Sequence, residues 1–186
     1  MMPNEKKDYY FVERTQTNLK FITEQINNKV IPINHDEFYE VTNLLNCCLG
    51  LISYVYEFTN KTTKTRKDAI KLLDDIFVHY SYSKENYGEV KISIPIIQGV
   101  VNKTKCTKMS TLLCHMRNAI CHGRINPVAS EIDSNGKKYI VSVNFTDKRQ
   151  KNAKKDNFDA TLTIEQIYTF ANDVANAYLE YCKNNK

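Results

Sequence analysis

Apolar residues along most of this chain recur every three or four positions, which is the period of an amphipathic α-helix. The first such segment has its apolar residues between Tyr9 and Ile26 and ends before Pro32. A second begins after a good amino-terminal cap, Asn34 or Asp36, and is apolar over most of its circumference, which predicts a central, buried helix. The whole pattern predicts helices at about residues 8–28, 36–58, 65–78, 107–122 and 164–182.

Between the fourth and fifth of these helices the period changes from helical to alternating. Apolar and polar residues alternate over positions 139–145, behind the turn sequence DSNG, which predicts a β-hairpin over about residues 128–145. Thr163 and Gln166 then form a capping box that predicts the start of the last helix. For residues 79–105, a loop with a short strand and a loop with a helical turn fit about equally well.

Length and composition narrow the fold class. With 186 residues, 42% of them hydrophobic, the chain is long enough for one complete core, so we predict one mainly helical domain over residues 1–186, a helical bundle with a small β-hairpin. No apolar segment of a signal peptide follows the charged amino terminus, and the longest apolar stretch, residues 44–55, is shorter than the roughly 20 residues of a membrane helix. The six cysteines show no disulfide spacing. We therefore expect a soluble, cytoplasmic protein with reduced thiols and no membrane contact.

The charge distribution points weakly to an acidic partner such as nucleic acid. The formal net charge is +5, and the basic residues gather in two predicted loops. One cluster lies within residues 61–67 and comprises Lys61, Lys64, Arg66 and Lys67. The other lies within residues 148–155 and comprises Lys148, Arg149, Lys151, Lys154 and Lys155. Each is either a solvated surface, the more frequent case, or a contact to a phosphate backbone.

The end of the fourth predicted helix carries polar residues that packing does not require. At about 100° per residue, one arc of this helix is apolar and is expected to face the core. That arc consists of Leu112, Leu113, Met116, Ala119 and Ile120. Arg117, Asn118 and His122 collect on the polar side, and Gly123 predicts the end of the helix because glycine tolerates the left-handed conformation.

These three residue types fit the chemistry of RNA cleavage. RNA carries its own nucleophile, the 2′-hydroxyl, so no metal is needed if the protein supplies a proton carrier and a positive charge for the phosphate. Histidine exchanges protons near neutral pH, and arginine presents a charged planar fork to phosphate oxygens. Asn118, four residues before His122, would orient the imidazole or hold a phosphate oxygen. The residues alone leave a second interpretation open, a favourable positive charge at a helix end beside a solvated arginine.

Other polar residues are weaker candidates for substrate binding. Arg14 and Asn18 lie one turn apart in the first helix and would support the motif or touch RNA, or form a solvated helix face. Asn43 and Asn46 interrupt the apolar second helix, where a structural hydrogen bond of a buried amide is favoured over catalysis. His115 is either a second proton carrier or, more often for such a position, a surface histidine.

A metal site is not predicted. Cys114, His115, Cys121 and His122 include the ligand types that zinc prefers, but the two cysteines are two helical turns apart, about 10 Å, and the chain has no CxxC pair. The motifs GxSxG, GxGxxG and the phosphate-binding P-loop are also absent from the sequence. We expect no cofactor.

The stretch HMRNAICHGRI resembles the signature of the HEPN superfamily, in which an arginine, four to six residues and a histidine follow one another and a polar residue accompanies them. Here the signature is Arg117, four residues and His122, with Asn118 as the polar residue. The stretches FVERTQTNLKFI and YEVTNLLNCCLGLI are similar to the opening helices of nuclease-type HEPN proteins of plasmids and defence loci. The resemblance thus covers the first, second and fourth helices.

This resemblance implies a HEPN-like helical domain that forms a homodimer, with both copies of Arg117 and His122 lining one composite cleft. It implies a metal-independent RNA endonuclease that acts as a toxin or anti-phage defence effector, with an antitoxin or regulatory protein as a further partner. The branch paired with nucleotidyltransferase antitoxins usually has a tyrosine two residues after the histidine, where this chain has Arg124. A toxin of that branch is therefore less favoured, and Arg124 becomes a candidate RNA contact. Members that only bind nucleotides or partners commonly lose the arginine or the histidine, and this chain keeps both.

Overall fold

The computed structural model describes residues 3–27, 37–94, 102–105, 108–129, 140–147 and 157–185. Its helices are α1 (Pro3–Asn27), α2 (Glu37–Thr62), α3 (Arg66–Ile76), α4 (Lys84–Tyr87), α5 (Met109–Cys121) and α6 (Ile164–Asn184). Its strands are β1 (Glu89–Ile94), β2 (Asn102–Lys105), β3 (Ile125–Ala129), β4 (Ile140–Asp147) and β5 (Asn157–Thr163). Within these ranges, none of the helices is both long and apolar enough to cross a membrane.

All five helices predicted from the apolar period are present, and side-chain caps mark the start of two of them, α3 and α6. The Thr163 side chain accepts from the Gln166 backbone at 3.1 Å, and the Gln166 side chain accepts from the Thr163 backbone at 3.0 Å, which confirms the predicted capping box. Thr65 caps α3 in the same way by accepting from the backbone of Asp68. The helix α2 continues to Thr62, one turn beyond its predicted end.

The prediction of a small hairpin is correct in kind and wrong in extent. β3 and β4 do pair antiparallel, with Pro127 opposite Val143, but they belong to a five-stranded antiparallel sheet of order β2-β1-β5-β4-β3. The first arm is β3, which begins earlier than the predicted arm, and the predicted turn at residues 133–136 lies outside the described residues. Strands β1 and β2 fall in the stretch where the sequence left strand and helical turn open. β1 pairs with the nearby β2 and with β5, which is distant in sequence, and the pairing with β5 leaves no signal in the local periodicity.

The core lies between the helices and one face of this sheet. α2 packs against α1, α5 and α6, while α5 and α6 also contact the sheet. The buried face of the sheet is formed by Val143, Phe145, Phe158, Ala160 and Leu162. The predicted apolar arc of α5 is confirmed, because Leu112, Leu113, Met116 and Ala119 are fully buried and Ile120 packs at the margin. The opposite side of α5 therefore faces outward, between the end of α2 and the end of β4.

Candidate active site

The backbone fixes the position of His122 at the end of α5. Gly123 adopts a φ of 62°, as predicted, and its N–H donates to the Ile120 carbonyl at 3.1 Å. The N–H of Arg124 reaches back to the Ala119 carbonyl at 2.8 Å, which completes a Schellman motif with His122 as the C-cap. The His122 side chain is exposed. An imidazole thus stands in solvent at a helix end whose backbone hydrogen bonds are satisfied.

Arg117 is held by two residues of α2. One guanidinium nitrogen, Nη2, donates to a carboxylate oxygen of Glu57, and the guanidinium carbon lies 5.1 Å from the centre of the Tyr56 ring. Burial lowers the pKa of Arg117, but the hydrogen bond and charge of Glu57 outweigh it, so the pKa is raised overall. The Nε atom is buried and has no hydrogen-bond partner among the described atoms. Arg117 is therefore permanently charged and fixed in direction.

Asn118 connects Arg117 to a carboxylate on β4. Its side-chain nitrogen donates to Asp147 at 3.0 Å, and its side-chain oxygen accepts from Arg117 at 3.3 Å. Towards His122, Asn118 contributes its backbone carbonyl, which accepts from the His122 N–H at 3.1 Å. Within the described residues, the amide side chain is thus directed at Arg117 and Asp147 and not at the imidazole. Its position suits it to orient the guanidinium.

Asp147 is the residue on which this arrangement depends and which the sequence reasoning missed. Its carboxylate is only 3% exposed and accepts from Asn118, from Arg124 at 3.3 Å and, on the tautomer that places a proton there, from His115 Nδ1 at 3.0 Å. A buried carboxylate requires several donors of this kind because it loses its hydration. We call the group of Asp147, His115, Asn118 and Arg124 the aspartate cluster.

A signal for Asp147 was present in the alternation of β4. Val143 and Phe145 point into the core, and the next residue on the same face is Asp147. The predicted strand ended at Phe145 and the predicted basic loop began at Lys148, so Asp147 was assigned to neither. Extending the alternation by two positions places an acidic residue beneath α5.

The expectation of a surface histidine at position 115 is wrong. The His115 side chain is 12% exposed and its ring stacks on Phe158, with centroids 4.9 Å apart and planes 3° from parallel. His115 lies one turn before Asn118 and packs against β5. No strand was predicted at β5, so the burial of His115 was not expected. His115 therefore anchors α5 to the sheet, and Arg124 does the same at the other end of the aspartate cluster.

The remaining candidates lie apart from the motif. Arg14 and Asn18 are exposed on α1, which packs against α2 and α6. The expectation of buried amides in α2 is wrong, since Asn43 and Asn46 are exposed; Asn46 lies on the side of α2 opposite Val55, which faces the core. Among the described contacts, none of these four side chains forms a hydrogen bond with the motif residues.

A groove opens beside Asn118, between the end of α2 and the start of α3. Its volume is about 350 Å³, and we call it the α2–α3 groove. It is lined by Tyr56, Asn60, Thr63, Lys64, Thr65, Arg66 and Asn118. Two members of the first basic cluster, Lys64 and Arg66, are thus brought next to the motif helix. The second basic cluster, within residues 148–155, lies outside the described residues.

The thiol of Cys114, which lies near the motif, is not an activated nucleophile. Burial raises the pKa of Cys114 to about 11, although a hydrogen bond with Tyr56 and the charges of Arg66 and Arg117 act in the opposite direction. Cys114 is therefore a neutral thiol at physiological pH. In the part of the chain that the structure describes, no group of three or more His, Cys, Asp or Glu side chains is placed to hold a metal ion.

Comparison with known proteins agrees with the resemblance of the motif. A family model described as HEPN pEK499 p136 matches residues 2–185, which is nearly the whole chain. Neither the curated proteins nor the solved structures contain a significant match.

Proposed function

Because the chain belongs to the HEPN pEK499 p136 family, we propose that it is a metal-independent endoribonuclease whose active site contains Arg117, Asn118 and His122. The observation that carries the proposal is that an oriented, charged Arg117 and an exposed His122 lie at the same end of one helix. Core packing accounts for neither side chain. RNA is the substrate that needs only these groups, since its nucleophile is internal.

The proposed reaction is attack by the 2′-hydroxyl on the adjacent phosphorus. His122, as general base, accepts the 2′-hydroxyl proton, the new P–O bond forms, and the bond to the 5′-oxygen breaks. The leaving 5′-oxygen takes a proton from a general acid, for which the partner's copy of the imidazole is the candidate. Arg117 stabilises the negative charge of the pentacoordinate phosphate. The products are a 2′,3′-cyclic phosphate and a 5′-hydroxyl, and the reaction needs no metal or other cofactor.

The contacts of Arg117 define what RNA must displace. In the free protein Glu57 occupies one edge of the guanidinium, and Asn118 holds another. A phosphate has to compete with the Glu57 carboxylate, while the Asn118 contact remains available to keep the fork oriented. Asn118 is thus assigned a positioning role, through Asp147, rather than a proton-transfer role.

We also propose that two copies of the chain form the working site. The side chain of His122 and the following Gly123 are exposed, so a second motif helix has access to them. Two such ends would bring two imidazoles and two guanidinium groups to one phosphodiester. Light scattering of the purified protein should then give twice the chain mass of 21.6 kDa. A monomer at concentrations where RNA is cut would contradict the composite site.

The test of cleavage uses purified protein, total RNA and excess chelator. We expect fragments with 5′-hydroxyl ends and cyclic phosphates from the wild-type chain, and none from Arg117→Ala or His122→Ala. Cleavage that persists in both variants would refute the assignment. As a cellular role we propose a toxin or anti-phage defence effector, with an antitoxin or regulatory protein as partner, so induced expression should stop bacterial growth and His122→Ala should relieve the arrest.

The second candidate is a module that binds RNA, a nucleotide or a regulatory protein without cutting. The observation that favours it is the ion pair of Arg117 with Glu57, which neutralises the cation that cleavage requires. This alternative predicts RNA binding with no product under the same conditions. It also predicts that His122→Ala leaves every cellular effect unchanged.

A further inference from the structure

We propose that the α2–α3 groove binds the nucleotide that adjoins the scissile phosphate on a single-stranded RNA. The inference rests on the proposed function, because it assigns a second contact to the same substrate. Asn118 lines the groove and also touches Arg117, so the groove and the proposed active site share a wall. A strand held by Arg117 would therefore continue into the groove without crossing another element.

Tyr56 belongs both to the α2–α3 groove and to the surroundings of Arg117. Its ring lines the groove and also lies beneath the guanidinium of Arg117. Burial raises the pKa of Tyr56, and the charges of Arg117 and Arg66 both oppose that rise. Two guanidinium groups thus act on one ring, and the positive field extends from the motif into the groove.

Two of the groups that line the groove and remain available to a ligand are cationic. The hydroxyl of Thr63 donates to the Thr59 carbonyl at 2.7 Å, and that of Thr65 donates to the Asp68 carboxylate at 2.7 Å, so both are used by the chain itself. Lys64 and Arg66 are exposed, and among the described residues neither forms an ion pair with a carboxylate. An arginine fork and a lysine ammonium that line one groove suit a phosphate diester.

The dimensions of the groove limit the ligand to one nucleotide unit. A volume of about 350 Å³ is near the lower end of the roughly 300–1,000 Å³ that small-ligand sites occupy. A duplex would not enter, whereas a single strand can place one sugar and phosphate there. The groove therefore selects unpaired RNA next to the cut site.

The experiment compares two double variants that change the net charge equally. Lys64→Gln with Arg66→Gln neutralises two groove residues, and Lys61→Gln with Lys67→Gln neutralises two residues of the same basic cluster that do not line the groove. Both pairs are made in a His122→Ala background, so that RNA stays intact. Binding of a labelled single-stranded oligonucleotide is followed by anisotropy over a range of salt concentrations, and thermal melting checks that both proteins are folded.

We expect the groove pair to weaken binding at least about tenfold and to reduce the salt slope by about 0.7 for each lost phosphate contact. The control pair should change the slope by much less. Equal effects of the two pairs, or no RNA binding in the parent, would overturn the groove assignment. If the groove pair alone weakens binding but the wild-type chain never cleaves RNA, the groove stands and the proposed nuclease activity falls. If the wild type cleaves RNA but the two pairs have equal effects, the proposed nuclease activity stands and the groove assignment falls.

Discussion

The two polar sides of α5 carry similar residue types and have different surroundings. On the anchored side, His115, Asn118 and Arg124 surround the buried carboxylate of Asp147. On the open side, Arg117 meets a half-exposed Glu57 and His122 meets solvent. A histidine and an arginine occur on each side, yet one pair is used to hold the helix on the sheet. Residue type therefore does not distinguish side chains that stabilise the fold from those proposed to act in catalysis. The burial of the carboxylate that each side chain contacts does distinguish them.

The difference between the two sides predicts that substitutions affect activity on one side and stability on the other. Replacing Arg117 or His122 on the open side should abolish activity and leave the fold intact. Changes to His115 or Arg124 on the anchored side should lower the free energy of unfolding first, and activity only through it. A variant that lowered activity and the free energy of unfolding to the same degree would contradict the distinction between the open and the anchored side.

The largest expected effect is that of His122→Ala on cleavage. Loss of a general acid or base typically slows a reaction about 100- to 10,000-fold, whereas a substitution at an exposed side chain usually changes stability little. The rate of cleavage of a defined RNA and the melting temperature are measured together. Cys121→Ser, at the exposed neighbouring position, is the matched control and should keep both values. A large drop in melting temperature for His122→Ala would place this residue on the anchored side.

The next effect is the destabilisation caused by Asp147→Ala. Removing the acceptor leaves Asn118, Arg124 and His115 without their shared partner in a buried place, which should lower the free energy of unfolding by about 3 kcal/mol. Urea unfolding followed by circular dichroism measures this change. Asp147→Asn keeps the shape but not the charge, so its loss should be smaller. Wild-type stability in Asp147→Ala would show that the aspartate cluster contributes nothing net.

A smaller effect is expected for Glu57→Gln on the open side. The amide keeps an acceptor for Arg117 but removes the negative charge with which a phosphate must compete. RNA should therefore bind a few-fold more tightly, of the order of 1 kcal/mol or less for a partly exposed pair. RNA titrations of the His122→Ala protein, with and without Glu57→Gln, measure this difference in affinity. Weaker binding would mean that the carboxylate is needed to orient the guanidinium.

The smallest effect concerns a half-buried carboxylate, Asp173, which has one described donor instead of three. The Tyr87 hydroxyl donates to it at 2.7 Å, and burial raises the pKa of Asp173 although that hydrogen bond opposes the rise. Because the folded chain then binds the proton more tightly than the unfolded chain, stability is lost as pH rises through the folded value. Asp173→Asn removes this loss and keeps an acceptor for Tyr87.

The measurement for Asp173→Asn is the melting temperature as a function of pH. At pH 7 the variant should be as stable as the wild type or more stable, by less than about 1 kcal/mol. The difference should shrink as pH falls and disappear below about pH 3, where Asp173 is protonated in both the folded and the unfolded chain. A destabilisation at pH 7 as large as that of Asp147→Ala would contradict the view that the number of donors separates the two carboxylates.

The helices could be predicted from the sequence because their signals are local. The apolar period of α5, the glycine at its end and the capping box of α6 each depend on residues within a few positions of one another. The spacing of Arg117 and His122 is local as well, so the motif was found. The exposed position of His122 follows directly from its place as the cap.

The sheet and the partners of the motif could not be predicted in the same way. Glu57 is 60 positions from Arg117 in the chain, and β1 pairs with β5 about 70 positions further on. Nothing in the sequence around Arg117 indicates which carboxylate it meets. His115 was misplaced for the same reason, since Phe158, on which it stacks, lies in a strand that the periodicity did not reveal.

The hydrogen bond from the Thr146 N–H to the Arg124 carbonyl joins the cap of α5 directly to β4, at 3.1 Å. The turn after His122 is therefore attached to the sheet next to Asp147, and the residues that meet there cannot vary independently. In an alignment of related chains, replacements at positions 115, 124 and 147 should occur together. Position 122 has no such partner among the described residues, so its loss in a relative would be an isolated event that leaves the rest of the domain recognisable.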